Sequence, residues 1–336
     1  MRMIFAFLAL LVTLTLASTD ARAQRGVLVW ENDAIADTDR DYTQGFRASL
    51  VFDDFKKHLL AAQAFDFLKV GLMTAGAPAG PVRQQLEWVF VGQSIFTPPN
   101  SSNPLRAPGD RPFGGWLYTG VNVAQETAGR QLDSFEILAG VVGPAALANE
   151  VQGGFHDLLG QRRPTPGNYQ IRNEPALLLA WDRRWKFGTE IGNRFGVDFI
   201  PSVGVTAGNV YTYGSVGGMV RFGRLLSSTW GPTRVRPSPS GASFFSPATE
   251  GPWWGFALFA GVEGRAVAHN VFLDGNLLTS SPSVKKNVLV GDAVAGLEIF
   301  NRVGSRIAVS ATYRSKEYTT QVSPHIFGSL EASVKF

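Results

Sequence analysis

Apolar and polar positions alternate with a period of two over much of the chain. At the C-terminus, Ile326, Gly328, Leu330, Ala332, Val334 and Phe336 fall on one face, and Ser329, Glu331, Ser333 and Lys335 on the other. Ile307, Val309, Ala311 and Tyr313 alternate with Arg306, Ser310, Thr312 and Arg314. Phe256, Leu258, Ala260 and Val262 oppose Glu263 and Arg265, just after the pair Trp253 and Trp254. Phe46, Ala48, Leu50 and Phe52 oppose Thr43, Arg47 and Ser49. This period belongs to strands whose two faces meet different surroundings. Runs of about ten such residues with aromatic ends are what a strand needs to cross a bilayer.

Applied along the chain, the pattern predicts about twelve strands, near 26–32, 43–52, 83–95, 113–127, 132–143, 174–187, 194–206, 212–223, 252–266, 286–300, 304–316 and 326–336. The fold class expected is all-β: a transmembrane antiparallel barrel of about twelve strands, with a short helix in an extracellular loop. An even count leaves both termini in the periplasm. Segments 33–42, 96–112, 144–173, 207–211, 267–285 and 317–325 then face outward. Two periplasmic connections are long. Segment 53–82 carries an apolar, helix-compatible stretch from Leu59 to Leu72, and 224–251 is rich in Pro, Ser and Gly, as a flexible loop would be.

Composition supports a barrel. Charged residues are 17%, Gly numbers 37, aromatics are 12% and cysteine is absent. Disulfide scaffolds and cysteine chemistry are excluded. The net charge of +4, with no dense Lys/Arg run, gives no reason to expect a nucleic-acid partner. Residues 1–23 read as a secretory signal: Arg2, an apolar run from Ile4 to Leu16, and a small-x-small site ending at Ala23. Residues 24–336 form the barrel domain, and a monomer is expected. A soluble β-sandwich with one wet face is the competing fold, disfavoured by the signal, the Gly and aromatic content and the terminal Phe.

Three polar clusters converge on the outer end. The first is Glu31, Asn32 and Asp33 with 38–45, where carboxylate and amide oxygens suit a hard cation such as calcium. The second is 109–116, containing Asp110 and Arg111. The third lies in 149–159, where Gln152 and His156 are four apart and share a face if the segment is helical. His58, His269 and His325 stand outside these clusters.

Taken together, these motifs resemble the outer-membrane lipid A 3′-O-deacylase family. The resemblance rests on Glu31, Asn32 and Asp33, on 38–40 and 42–45, on 92–98 with Gly109 to Pro112, on Gly143 and Pro144, on Glu150 to Gln152 with His156, and on Asn173 to Pro175. It covers about 32–175, and the remaining alternation is compatible with it. It implies a twelve-stranded barrel in the bacterial outer membrane that hydrolyses an acyl ester of lipid A, with calcium as cofactor and the site at the extracellular side. His156 matches the general base, Asn32, Asp33 and Thr43 match the active-site cluster, and Asn32 and Asp33 are the expected metal residues. Gln152, Arg106, Asp110 and Arg111 are the expected substrate contacts. Where the family has an active-site lysine after Pro98, this chain has no lysine and offers Arg106. Thr43 shares the strand parity of Arg47 and Ser49, so it is expected to point into the barrel. The competing functions are a phospholipase or other acyl hydrolase and a passive, porin-like barrel. A serine nucleophile, Ser101, Ser102 or Ser134, is the competing mechanism.

Overall fold

The computed structural model describes residues 25–33, 40–53, 76–99, 109–160, 163–191, 195–237 and 242–336. The expected signal, the helix-compatible 59–72 stretch, His58, Ser101, Ser102 and Arg106 lie outside them.

The strands, in order, are β1 (Arg25–Asn32), β2 (Asp41–Phe52), β3 (Val82–Thr97), β4 (Gly114–Thr127), β5 (Gln131–Val142), β6 (Glu174–Trp185), β7 (Phe187–Ile191), β8 (Phe195–Gly208), β9 (Tyr211–Arg224), β10 (Trp254–Asn270), β11 (Leu289–Asn301), β12 (Arg306–Arg314) and β13 (His325–Lys335). All strand pairings are antiparallel, chain neighbours pair except β6 with β7, and β1 pairs with β13, which closes the sheet. β6 and β7 pair with β8 in one unbroken register, Arg184 opposite Ser202 and Phe187 opposite Phe199. They are one stave interrupted at Lys186, so the wall is a closed barrel of twelve staves. Every predicted strand is present. Closure pairs the staves all the way round, the condition for crossing a bilayer with strands, and β7 alone pairs on one side only among the described strands.

The alternation sorts side chains as the sequence requires. Leu258, Val262, Ile307 and Val309 face outward and are exposed, whereas Arg265, Arg306 and Arg314 turn inward and are buried. Near the end that the strand parity assigns to the periplasm, Phe195, Phe222 and Phe256 cluster beside Trp253 and Trp254, an aromatic group suited to a membrane interface.

The segment after β9 departs from the expected flexible loop. It folds into the barrel. Trp230, Val235, Phe244 and Phe245 are buried there. Trp230 Nε1 donates to Glu126 at 2.7 Å, Ser243 Oγ to Glu87 at 2.6 Å, and Arg236 Nε to Glu136 at 2.6 Å. Arg306 donates to the Gly231 and Ala242 carbonyls at 3.2 Å each. Inward-facing carboxylates need partners once water is excluded. The wall supplies Arg47, Arg221, Arg265 and Arg314, and this segment supplies Arg234 and Arg236.

Among the described residues, two α-helices lie at the end that the strand parity assigns to the outside: α1 (Ala148–Leu159), in the connection between β5 and β6, and the one-turn α2 (Val271–Asp274) after β10.

Candidate active site

α1 is the helix expected in the long outward loop. A 3-10 turn, Pro144–Ala146, leads into it, and Gly160 ends it in a left-handed conformation with its N–H donating to the Asp157 and His156 carbonyls. Ala148, Gln152 and His156, at i, i+4 and i+8, are all buried and form one stripe. The helix packs on the outer ends of β3 and β4. Gly115 permits the close approach: a Cβ there would stand 2.5 Å from the Ala148 Cβ. Gln93 Nε2 donates to the Ala146 carbonyl at 2.7 Å, and Ile95, Phe113 and Ala148 pack together.

Gln152 Nε2 approaches His156 Nε2 at 3.5 Å. One residue on, Asp157 accepts from Arg163 Nε at 2.8 Å. That hydrogen bond holds the exposed Asp157 carboxyl below its usual range, so a negative charge stays beside the imidazole.

Asn32, Asp33 and Thr43 come together where β1 ends and β2 begins, and all three are buried. Asn32 Nδ2 donates to the Thr43 carbonyl at 3.0 Å, and the Arg40 N–H donates to Asp33 Oδ2 at 2.9 Å. Thr43 does not follow Arg47 and Ser49 inward. The β2–β3 register shifts between Tyr42 and Gln44, a bulge that resets the parity. The Thr43 hydroxyl instead meets the Thr97 hydroxyl at 2.6 Å. Thr97 follows Gln93 and Ile95 at intervals of two, and those residues contact the α1 segment. Sequence reasoning misses Thr97. Only the register across two strands brings it to Thr43, and no local motif marks it.

On the inner face of the same strand ends, Tyr42 Oη donates to Glu31 Oε2 at 2.8 Å. Arg111 is also on the inner side and fully buried. Its guanidinium lies 4.7 Å from the Phe96 ring centroid, with Nη1 3.5 Å from Glu317 and 3.7 Å from Asp41. Asp110 is half-buried, and its carbonyl accepts from Tyr169 Oη at 2.9 Å. These contacts tie the outward loops to one another. His269 is engaged elsewhere, its Nε2 3.1 Å from the Asn209 carbonyl, whereas His325 Nε2 lies 3.0 Å from the carbonyl of Tyr42, the chain neighbour of Thr43.

As a cation site, Asn32, Asp33 and the Thr43 hydroxyl offer only oxygen atoms of carboxylate, amide and alcohol type, the donor chemistry that calcium takes. Among the described residues no group of three or more His, Cys, Asp or Glu side chains converges on a metal position.

The family model described as "Outer membrane protein LpxR" matches residues 3–336. No curated protein matches the chain in sequence. Among solved structures, LpxR from Salmonella typhimurium aligns with a TM-score of 0.72 and 21% identity, covering 93% of this chain and 100% of that one. The β-domain of the Bordetella autotransporter BrkA aligns with a TM-score of 0.44 at 10% identity, over 94% of this chain and 99% of that one. A family match over nearly the whole length joins the closed twelve-stave wall and the rim cluster to one conclusion: the chain is an integral outer-membrane β-barrel and belongs to the LpxR family.

Proposed function

We propose that this barrel is a calcium-dependent lipid A 3′-O-deacylase working at the extracellular rim. The observation that carries the reading is the pairing of Gln152 with His156 on the buried face of a helix seated on β3 and β4, next to the stave that carries Thr43. An ester hydrolase in a membrane wall needs its base on a rigid element at the headgroup level, and α1 supplies one.

The imidazole of His156 takes a proton from water as its oxygen attacks the ester carbonyl. The imidazole returns the proton to the leaving alkoxide, so that a free fatty acid and a sugar hydroxyl result. Gln152 orients the imidazole. Thr43, fixed by Thr97, presents a hydroxyl to the substrate or the attacking water. Asn32 and Asp33 would hold the calcium ion. When bound, that ion supplies positive charge to the oxyanion of the tetrahedral intermediate. Lipid A and lipopolysaccharide in the outer leaflet are the substrate class. A passive porin draws no support from a lumen filled by the 229–237 and 242–246 segments.

The test is to incubate the folded barrel with lipid A and, separately, with glycerophospholipid, and to read the products by mass spectrometry. Loss of a 3′-linked acyl group from lipid A with the phospholipid intact is expected. Hydrolysis of phospholipid alone would assign a phospholipase instead.

A further inference from the structure

The segment that enters the lumen reaches the underside of the candidate site. Arg234 Nε donates to Glu31 Oε1 at 2.9 Å, and the Val235 N–H reaches the same oxygen at 3.3 Å. The other oxygen, Oε2, accepts from Tyr42 Oη. Glu31 and Tyr42 are the chain neighbours of Asn32 and Thr43. The outer ends of β1 and β2 are therefore clamped twice: through Glu31 and Tyr42 on the inner face, and through Asn32 and the Thr43 carbonyl on the site side. Arg234 is itself fixed two staves away, through Ser310 Oγ at 2.8 Å and Thr312 Oγ1 at 2.6 Å, both on β12, which β13 separates from β1.

We infer that Arg234 is a positioning residue: by holding Glu31 it sets the register of Asn32 and Thr43, so the lumen segment is a working part of the rim site. The inference rests on the deacylase reading for its kinetic arm. A buried Arg that only neutralises a buried Glu would affect folding and leave turnover per folded molecule unchanged. A positioning residue affects turnover of the folded molecules. Its planar fork binds Glu31 and both β12 hydroxyls, which one ammonium cannot reproduce in full.

The experiment compares Arg234→Met and Arg234→Lys with Arg221→Met. Arg221 is also buried but serves Asp198, Thr229 and Glu298. Folded fractions are isolated by heat-modifiability, kcat and KM are measured on lipid A, and amide exchange is followed at residues 31–33 and 41–44. For Arg234→Met, kcat should fall at least tenfold with KM within about twofold, and exchange at those residues should quicken. Arg234→Lys should recover part of the loss, and Arg221→Met should stay within about twofold of the parent. A folded Arg234→Met with parental kcat overturns the inference, as does an equal fall in Arg221→Met. Should Arg234→Met not fold, the double variant Ser310→Ala with Thr312→Val decides. A kcat about threefold down with faster exchange supports the inference, and parental values overturn it. If the parent itself leaves lipid A intact, the deacylase reading has failed. Exchange in the same variants then decides alone: faster exchange supports the positioning role, and unchanged protection ends it.

Discussion

The hydroxyls of Thr43 and Thr97 meet at 2.6 Å across the outer ends of β2 and β3, and both residues are buried. A bulge in β2 is what brings them together. Thr97→Val keeps the shape of the side chain and removes the hydroxyl. The Thr43 hydroxyl then loses its partner at the cost of one ordinary hydrogen bond, about 0.5–1.5 kcal/mol. Turnover of lipid A should drop roughly two- to tenfold with the barrel still heat-modifiable. Parental turnover in Thr97→Val would remove Thr97 from the site.

Gly115 sets how closely α1 sits on the wall. A Cβ added there would lie only 2.5 Å from the Ala148 Cβ, so Gly115→Ala must lift or slide the helix. A displacement of about 1 Å at a catalytic group can cost roughly a hundredfold. We expect at least a tenfold loss of deacylation with the strand content unchanged by circular dichroism. An active Gly115→Ala would show that the position of α1 does not matter to the reaction.

Chelation tests the cation. Excess chelator should abolish hydrolysis, calcium should restore it and zinc should not, because an all-oxygen donor set favours the hard ion. Asp33→Ala should raise the calcium concentration needed for half-maximal rate. Full activity in chelator would show that the ion takes no part in the reaction.

Charged pairs fill the lumen from the Arg221 and Glu298 level up to Arg111 and Glu317. In a planar bilayer the folded protein should therefore give no steady conductance steps. A stable open conductance would restore the porin reading and require the segment after β9 to leave the lumen.

The wall was legible because membrane strands obey one rule, an inward face alternating with an outward face, and the staves follow it except at the register shifts in β2, β3 and β10. The parity also placed His156 and the 32–43 cluster at the same end. Two features were not legible. The segment 224–251 looks like a flexible loop by its Pro, Ser and Gly content, yet Arg234 and Arg236 answer carboxylates at Glu31, Glu136 and Asp182, far away in sequence. A count of inward-facing acids against inward-facing arginines would have hinted at a missing partner. The orientation of Thr43 failed for a local reason, since one bulged residue reverses the parity on which the inward assignment rested.

The role of His156 as the base of a lipid A ester hydrolase is tested most directly by comparing deacylation by folded parent and folded His156→Ala, with His269→Ala as the control. A positioned base is worth roughly 10²–10⁴ in rate. The parent should release the 3′-linked acyl group, His156→Ala should be slower by that factor at equal folded fraction, and His269→Ala should stay within a few-fold of the parent. Near-parental release by folded His156→Ala would contradict the assignment and favour a serine nucleophile.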